Sequence, residues 1–561
     1  MKPKLGGVFL LLILVFAALI IANAALVHGN PIPVNNFVDL QSEIAAATPG
    51  VPVIIEITGD FDMPREILIP SGIEIILEGA GILTTAASRR HFAVLTGGSL
   101  TLSGNVTITR ASTLTYGGGV FVHGGIFIMS GGGINDNMST LTGGGVRVTN
   151  NGVFKMSGGA ISGNTALGNG GGVYVELGTF IMSGGVIEGN VSERNGGGVS
   201  INNNSKFMIL GGNINGNTAN RSDGGGVHVA SGSMIEMHDG KIRGNTARWY
   251  GGGMFVDANS IFIMFGGVVS DNSAPAGGGG VGITDSVFRM ADGIINNNTA
   301  ISNRGGGVFL QHSSFFEMNG GVISGNSAVG GGGVDIAGGD SMFEMNGGII
   351  SGNTSTDVHA GGVHILGTFV MNGGAIHGNT AQWSGGGVTV AGARTINLVG
   401  ERRELYIYGM FIMFGGEISG NIALGYGGGV SVHGLGTFKM IGGEITENTA
   451  ASGGGGVNVV GTFEMTGGNI GGNAVERIAG GGVRVSDIGT FRAHGGAIRS
   501  GGTNELVHQP DGTFVEFDNI GVQLGVWSQN ADNEWVFDSC TPVESVLPAI
   551  YDLFRGWYYL P

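Results

Sequence analysis

Residues 170–190 read GGGVYVELGTFIMSGGVIEGN, and this stretch gives the clearest indication of the fold. It contains three short segments, VYV at 173–175, TFIM at 179–182 and VIE at 186–188. In equivalent stretches elsewhere in the chain, alternate slots of these segments stay apolar while the slots between them vary. A period of two residues is typical of a β-strand with one face in a core. The stretch therefore predicts three short strands joined by tight turns that depend on glycine.

This unit recurs fourteen times along the chain. The residue after each glycine run marks its register, at Val120, Val146, Val173, Val199, Val227, Met254, Val281, Val308, Val334, Val363, Val388, Val430, Val457 and Val483. Most successive gaps are 26 or 27 residues, and one is 42. Like slots align only if each coil returns to its starting angle, so strands pair in parallel with their counterparts in the next coil. The sequence predicts an all-β, right-handed parallel β-helix of about fourteen regular coils of 26–27 residues, with N- and C-terminal caps.

An asparagine follows the inward Ile of the third segment by three residues in thirteen of the fourteen units. Asparagine tolerates left-handed backbone at a bend, and its amide can bond an identical neighbour one coil away. We expect a buried structural ladder rather than metal or glycan attachment. On this interpretation, Asn298→Ala destabilises the fold by about 1–3 kcal/mol because its partners lose their hydrogen bonds.

Composition excludes several classes of protein. The chain has 561 residues, of which 116 are Gly, 42% are hydrophobic and 12% are charged. The Gly-X-Y period of collagen is absent, and a chain this apolar is not disordered. The net charge of −16 argues against nucleic acid and against anionic membranes as partners. A single cysteine, Cys540, excludes a disulfide scaffold.

The ends of the chain differ from the repeats. Residues 1–24 carry Lys2 and Lys4, an apolar run and a small-x-small site, which predicts a secretory signal peptide or, alternatively, an uncleaved anchor. Residues 31–116 are expected to form an N-terminal cap, with a helix at 36–48, and the irregular first coils.

The regular repeats occupy residues 117–504, and the long gap between units corresponds to an insertion at 394–408 with the pattern of a hairpin. Residues 505–561 lose the repeat, gain aromatic residues and are expected to form the C-terminal cap; a carbohydrate-binding tail is the alternative.

Two short motifs recur within the repeats. GGAI stands at 158–161, 373–376 and 495–498, and FxxN stands at 316–319, 343–346 and 369–372. With these motifs, residues 117–498 resemble the passenger region of chlamydial-type polymorphic outer membrane proteins and, more broadly, bacterial β-helix adhesins. The resemblance implies a surface that serves adhesion. The C-terminal membrane barrel of that family is not expected, because residues 505–561 are too few to form one.

Two functions are compatible with these observations. The first is an exported, secreted or surface-displayed adhesin-like binding or structural module that is not an enzyme; a host-surface protein or a glycan is its expected partner. The alternative is a polysaccharide-active lyase or hydrolase of the pectate-lyase-like β-helix type, an idea that rests on fold analogy. Chemistry of that kind needs clustered carboxylates, and none is legible among the outward slots, where Asp335 lies between Phe309 and His364. No catalytic, metal-binding or cofactor-binding residue is therefore predicted.

Outward aromatic side chains are the candidate ligand contacts. Four lie in the variable slot of the first strand, and two lie in loops: Phe121, Tyr174, Phe255 and Phe309, and Trp249 and Trp383. Aromatic faces stack on sugars and on partner proteins. The alternative is that these are isolated surface hydrophobes without a function.

Overall fold

The fold is seen in a computed structural model. It describes residues 30–500 apart from 86–89, 111–117, 358, 398–402, 477–479 and 487, and beyond them four strands; in these strands and in 393–397, 403–406 and 499–500 only the backbone is described. The signal peptide or anchor predicted at 1–24 lies outside these residues. Within them, no helix has both the length and the apolar composition that crossing a membrane requires. The chain divides into two compact units, Met1–Ser314 and Phe315–Pro561.

A regular coil contains three main strands and a short fourth, which has two residues in most coils. In one coil of the N-terminal unit these are Val173–Glu176, Thr179–Met182, Val186–Glu188 and Val191–Ser192. Every one of them pairs in parallel, residue for residue, with its counterpart in the next coil. We call the four stacks the first, second, third and fourth sheets. The predicted parallel solenoid is therefore confirmed.

The N-terminal unit contributes the following strands. The first sheet has Ile67–Ile69, Phe92–Leu95, Val120–His123, Val146–Thr149, Val173–Glu176, Val199–Asn202, Val227–Val229, Met254–Val256, Val281–Thr284 and Val308–Gln311. The second has Ile32–Val34, Val53–Ile57, Glu74–Gly79, Ser99–Leu102, Ile126–Met129, Val153–Met156, Thr179–Met182, Lys206–Ile209, Met234–Met237, Ile261–Met264 and Val287–Met290. The third has Phe61–Asp62, Ile82–Thr85, Thr107–Arg110, Gly133–Asn135, Ala160–Ser162, Val186–Glu188, Asn213–Asn215, Lys241–Arg243, Val268–Ser270 and Ile294–Asn296. The fourth has Met138–Ser139, Thr165–Ala166, Val191–Ser192, Thr218–Ala219, Thr246–Ala247, Ser273–Ala274 and Thr299–Arg304.

The C-terminal unit repeats the pattern. Its first-sheet strands are Val334–Ile336, Val363–Ile365, Val388–Val390, Val430–Val432, Val457–Val459 and Val483–Val485. Those of the second are Phe315–Met318, Met342–Met345, Thr368–Met371, Met410–Met413, Thr437–Met440, Thr462–Met465 and Thr490–Ala493. Those of the third are Val322–Ser324, Ile349–Ser351, Ala375–His377, Glu417–Ser419, Glu444–Thr446, Asn469–Val475 and Ala497–Ser500. Those of the fourth are Ser327–Gly330, Thr354–Ser355, Thr380–Ala381, Ile422–Ala423 and Thr449–Ala450.

Over both units the first sheet has 16 strands, so the described residues make about sixteen turns. The sequence predicts fourteen regular coils. The difference lies in Ile67–Ile69 and Phe92–Leu95, which belong to the region expected to hold irregular first coils. No glycine run precedes these strands, so the spacing of the glycine runs does not reveal them.

Three further elements lie outside the regular coils. A helix spans Phe37–Ala46. Asn36 is its N-cap residue, and the Asn36 side chain accepts a hydrogen bond from the Asp39 N–H. In the insertion, Gly392–Asn397 pairs antiparallel with Arg403–Tyr408. A separate antiparallel sheet contains Glu505–His508, Phe514–Phe517, Val526–Gln529 and Trp535–Phe537.

The core is made of ladders of identical side chains. Phe180 stacks on Phe154 with ring centroids 4.6 Å apart and on Phe207 at 4.5 Å, with the planes nearly parallel in both pairs. All three rings are essentially inaccessible to solvent. Offset stacking adds about 0.5–1.5 kcal/mol per pair beyond the burial of area. Since each coil presents the same side chains to the next, the same packing arrangement recurs from coil to coil.

The asparagine ladder is buried and continuous within each unit. In the N-terminal unit, the Asn190 Oδ1 accepts bonds from both the backbone N–H and the side-chain amide of Asn164, each 2.9 Å long. The Asn190 amide donates in turn to Asn217 Oδ1 and to the carbonyl of Ile161. Asn353 and Asn379 repeat the arrangement in the C-terminal unit. The predicted structural ladder is confirmed.

Two other polar ladders were not predicted. Between the first and second sheets, the backbone N–H of Ser205 donates to Ser233 Oγ, that of Ser233 to Ser260 Oγ, and that of Ser260 to Ser286 Oγ, over 3.0–3.2 Å. The asparagines of the FxxN motifs form an exposed ladder in the C-terminal unit, where Asn372 donates to Asn346 and Asn346 donates to Asn319.

Candidate functional site

The outward slot of the first sheet is covered, which contradicts part of the predicted site. Tyr174, Phe255 and Phe309 are at most 8% exposed, and Phe121 is half-buried. These four side chains point away from the central core, as the alternation predicts. Another segment of each coil lies over them, however, so the prediction that they face a ligand is wrong for Tyr174, Phe255 and Phe309.

The covering residue of each coil stands four residues before the start of its first-sheet strand. In the N-terminal unit, Tyr250, Gly277 and Arg304 pair with one another in parallel, as do His359, Ser384, Tyr426 and Gly453 in the C-terminal unit. We call these residues, with their equivalents in other coils, the cover row. The chain doubles back to reach this position through the first glycine of the run. At Gly170, with φ of 69°, an added Cβ would lie 2.9 Å from the Cβ of Tyr174, so glycine avoids a close contact there.

The covered aromatic rings have partners within the protein. Tyr250 of the cover row stacks on Phe255 at 5.9 Å and on Phe309 at 5.6 Å between ring centroids. The guanidinium carbon of Arg90 lies 4.0 Å from the centre of the Phe121 ring, and that of Arg147 lies 5.9 Å from the Tyr174 ring. These contacts stabilise an outer layer of the fold and occupy the ring faces that a ligand would need.

The two tryptophans of the predicted site are exposed. Trp249 and Trp383 retain 48% and 55% of their surface in solvent. Each stands two residues after the alanine that ends a fourth-sheet strand, Ala247 or Ala381. They therefore hold the same position of the repeat, one in each unit. Within the C-terminal unit, Trp383 makes an edge-to-face contact with Tyr426, with 6.3 Å between ring centroids.

The loops after the fourth-sheet strands carry other exposed apolar residues. We call these loops the ridge. Besides the tryptophans, the exposed large hydrophobic side chains of the ridge are Leu141 and Leu167 in the N-terminal unit and Leu424 in the C-terminal unit. Exposed apolar side chains that recur on one feature of a surface mark an interaction site more often than isolated ones do.

A buried polar cluster lies beneath the cover row of the C-terminal unit. His364 Nδ1 is 2.9 Å from Asp335 Oδ2, and both side chains are fully buried. The contact lacks the geometry of a hydrogen bond, although the two polar atoms are buried against each other. The His359 ring stacks on His364 and meets the edge of His433. Burial, with His364 nearby, lowers the pKa of His433. Asp335 and His364, which the alternation places on the surface, thus belong to the interior.

A second group surrounds Asp223 in the N-terminal unit. Its carboxylate accepts the backbone N–H of Tyr250 at 2.9 Å and a bond from Ser222 Oγ. Its own N–H donates to Asn195 Oδ1, so Asp223 occupies one step of a side-chain-to-backbone ladder along the cover row. Burial raises the pKa of Asp223. His228 is buried below it, 3.5 Å from Asp257.

These clusters hold the cover row in place, and their geometry is not that of an open reaction centre. Asp335, His228 and His364 have almost no contact with solvent, which a substrate would have to reach. In the described part of the chain, no three His, Cys, Asp or Glu side chains are arranged to hold a metal ion.

Comparison with known proteins identifies the fold. A family model described as "Right handed beta helix region" matches residues 210–347. The chain folds as a right-handed parallel β-helix. No curated protein and no solved structure gives a significant match. Regions of this type occur in enzymes and in proteins without catalytic activity, so the match leaves function to the arguments from the site.

Proposed function

We propose that this protein is an exported, non-enzymatic binding module whose β-helix presents the ridge to glycans. One observation carries the proposal: Trp249 and Trp383 take the same ridge position in separate units and remain about half exposed. By contrast, the first-sheet aromatic residues Tyr174, Phe255 and Phe309 are covered by other parts of the protein. A tryptophan face provides a large apolar platform on which a sugar ring stacks.

Several features support export and display. The basic and apolar pattern of residues 1–24 supports secretion, and the GGAI and FxxN motifs resemble those of surface adhesins. Within each unit, a stack of near-identical coils also provides a surface on which ridge loops change without disturbing the core.

The alternative of a polysaccharide lyase or hydrolase has less support. The carboxylates near the first sheet have structural roles: Asp335 is buried against His364, and Asp223 accepts the Tyr250 N–H. A hydrolase of the usual kind needs two carboxyl groups flanking an open groove. These roles support the non-enzymatic assignment, which is part of the proposal.

A glycan array with the full chain, read for bound sugars and for shortened ones, tests the proposal. We expect binding without cleavage, and a loss of at least about tenfold in Trp249→Ala/Trp383→Ala. Phe265→Ala is the matched control, because Phe265 is similarly exposed and lies off the ridge, beside His238. Unchanged binding by the tryptophan variant, binding to proteins alone, or release of shortened sugars would contradict the proposal.

A further inference from the structure

Three successive ridge loops of the N-terminal unit carry arginine. Arg194, Arg221 and Trp249 each stand two residues after the end of a fourth-sheet strand, and Arg248 precedes Trp249. The strands before them pair in register, Ser192 with Ala219 and Ala219 with Ala247. The backbone positions of Arg194, Arg221 and Trp249 therefore lie one coil apart, at about 4.8 Å per coil. We call Arg194, Arg221, Arg248 and Trp249 the arginine row.

The arginine row is open to solvent and only partly neutralised. Arg194 and Arg248 are exposed, and the Arg221 side chain is 80% exposed. Glu193 lies 2.8 Å from Arg221, and its other oxygen accepts a bond from Asn220. Among the described residues, neither Arg194 nor Arg248 lies within ion-pair distance of a carboxylate. Asp223, next along one of these loops, binds Tyr250 and Ser222.

Arg248 and Trp249 form one recognition element. The guanidinium carbon of Arg248 lies 5.0 Å from the centre of the Trp249 ring, and the Arg248 N–H is held by the carbonyls of Ala219 and Ser222. A cation beside an exposed indole suits a ligand that combines a flat apolar face with a negative group.

We propose that the arginine row binds a linear anionic glycan that carries a carboxylate or sulfate on each sugar and runs along the coil axis. Each coil advances by about the length of one pyranose ring. Successive arginines thus meet successive anionic groups, and guanidinium binds carboxylate or sulfate through paired hydrogen bonds. A sugar ring rests on Trp249. The inference deepens the proposed function and rests on it.

The rest of the surface opposes any polyanion that extends beyond the arginine row. The chain has a net charge of −16, so a nucleic acid or an anionic glycan that contacts more than the row meets an opposing field. A glycan lying only on the ridge contacts the row alone. Single-stranded DNA is therefore a competing probe in the test.

The test measures equilibrium binding of the full chain to polygalacturonate, to sulfated dextran, to neutral dextran and to a DNA oligonucleotide. We expect binding to one or both anionic glycans that weakens with added salt, and none to dextran. Arg194→Gln/Arg221→Gln should weaken it at least tenfold with an unchanged melting temperature. Arg243→Gln is the matched control, since Arg243 is an exposed arginine on the third sheet, paired with Asp271.

Each of the other outcomes contradicts a specific part of the inference or of the proposed function. Binding to neutral glycans that depends on Trp249 but not on the arginines overturns the inference and leaves the proposed function standing. DNA binding as tight as glycan binding overturns the assignment to glycans. Unchanged binding in the arginine double variant also overturns the inference. Failure of the wild-type chain to bind any glycan overturns both proposals.

Discussion

Tyr250 lies face to face with Phe309, with ring centroids 5.6 Å apart and planes 9° from parallel. Phe309 belongs to a first-sheet strand two coils further along the chain from the loop of Tyr250. The cover row therefore spans several coils and seals the outward slot of the first sheet. The β-helix has a second, outer layer of packing there. The exposed aromatic residues of the predicted site, Trp249 and Trp383, lie on the ridge instead.

Removing the cover at one point should destabilise this outer layer. We expect Tyr250→Ala to lower the free energy of unfolding by about 2 kcal/mol, because Phe255 and Phe309 lose a stacked partner and gain solvent. Tyr250→Phe keeps the ring and should stay within about 0.5 kcal/mol of the wild type. Urea unfolding measures both. Equal stability of the Ala and Phe variants would mean that the cover row contributes no packing energy.

The asparagine ladder should be sensitive at any interior step. Asn245 accepts from Asn217 and donates to Asn272 and to the Ile214 carbonyl, so Asn245→Ala leaves buried groups unpaired. We expect a loss of about 1–3 kcal/mol in the free energy of unfolding. Asn220→Ala is the control: Asn220 is exposed, bonds Glu193 and should change stability by less than about 0.5 kcal/mol. Similar melting temperatures of the two variants would contradict the prediction that the buried asparagine ladder stabilises the fold.

The Asp335–His364 contact should show strong coupling in a double-mutant cycle. Each single alanine variant leaves one buried polar group without its partner, at an expected cost of about 3 kcal/mol. The double variant should cost at least about 1 kcal/mol less than the sum of the two. The half-exposed pair Arg147–Glu176, at 3.7 Å, is the comparison, with an expected coupling below about 1 kcal/mol. Additive losses at Asp335 and His364 would show that the two do not interact.

His91 should make the N-terminal unit sensitive to acid. Burial, with Arg110 nearby, lowers the pKa of His91 to about 3 from its usual 6.5, and its Nε2 contacts the Thr109 carbonyl oxygen at 2.8 Å. Between these values the unfolded chain binds a proton that the folded chain does not. The contribution of His91 to stability is therefore complete above pH 6.5 and falls toward pH 3, by at most about 1.4 kcal/mol per pH unit.

Urea unfolding of His91→Gln at pH 7, 6, 5 and 4 isolates this term. The variant lacks the titrating ring, so the difference between wild type and variant should shrink as the pH falls. A difference between wild type and His91→Gln that does not change with pH would show that His91 titrates alike in both states.

The sequence predicts the coil because its ladders repeat strictly. Phe180, Ile187 and Asn190 each have counterparts at the same slot in neighbouring coils, and a side chain that must stack on its own kind leaves a periodic trace. The serine ladder leaves a trace as well, since Ser205 and Ser233 stand two residues before the inward slot. It escapes notice because serine is common in turns.

The cover row could not be predicted in the same way. Alternation assigns Phe255 to the outer side of a strand, but it does not reveal whether another segment lies on that side. Cover residues such as Tyr250 and His359 share no side-chain type, because they are held through backbone pairing. Only the glycine before the first-sheet strand hints at a close approach. Trp249 and Trp383 were correctly placed in exposed loops because their segments have no strand period.

Ligands are expected to meet the ridge and not the covered face of the first sheet. The most direct test is the dissociation constant for the best glycan from the array, compared between Trp249→Ala/Trp383→Ala and Phe255→Leu/Phe309→Leu. We predict that the ridge variant loses at least about tenfold in affinity while the first-sheet variant, still folded, binds like the wild type. Full binding by the ridge variant, with loss in the first-sheet variant, would contradict the account and return the binding site to the outward face of the first sheet.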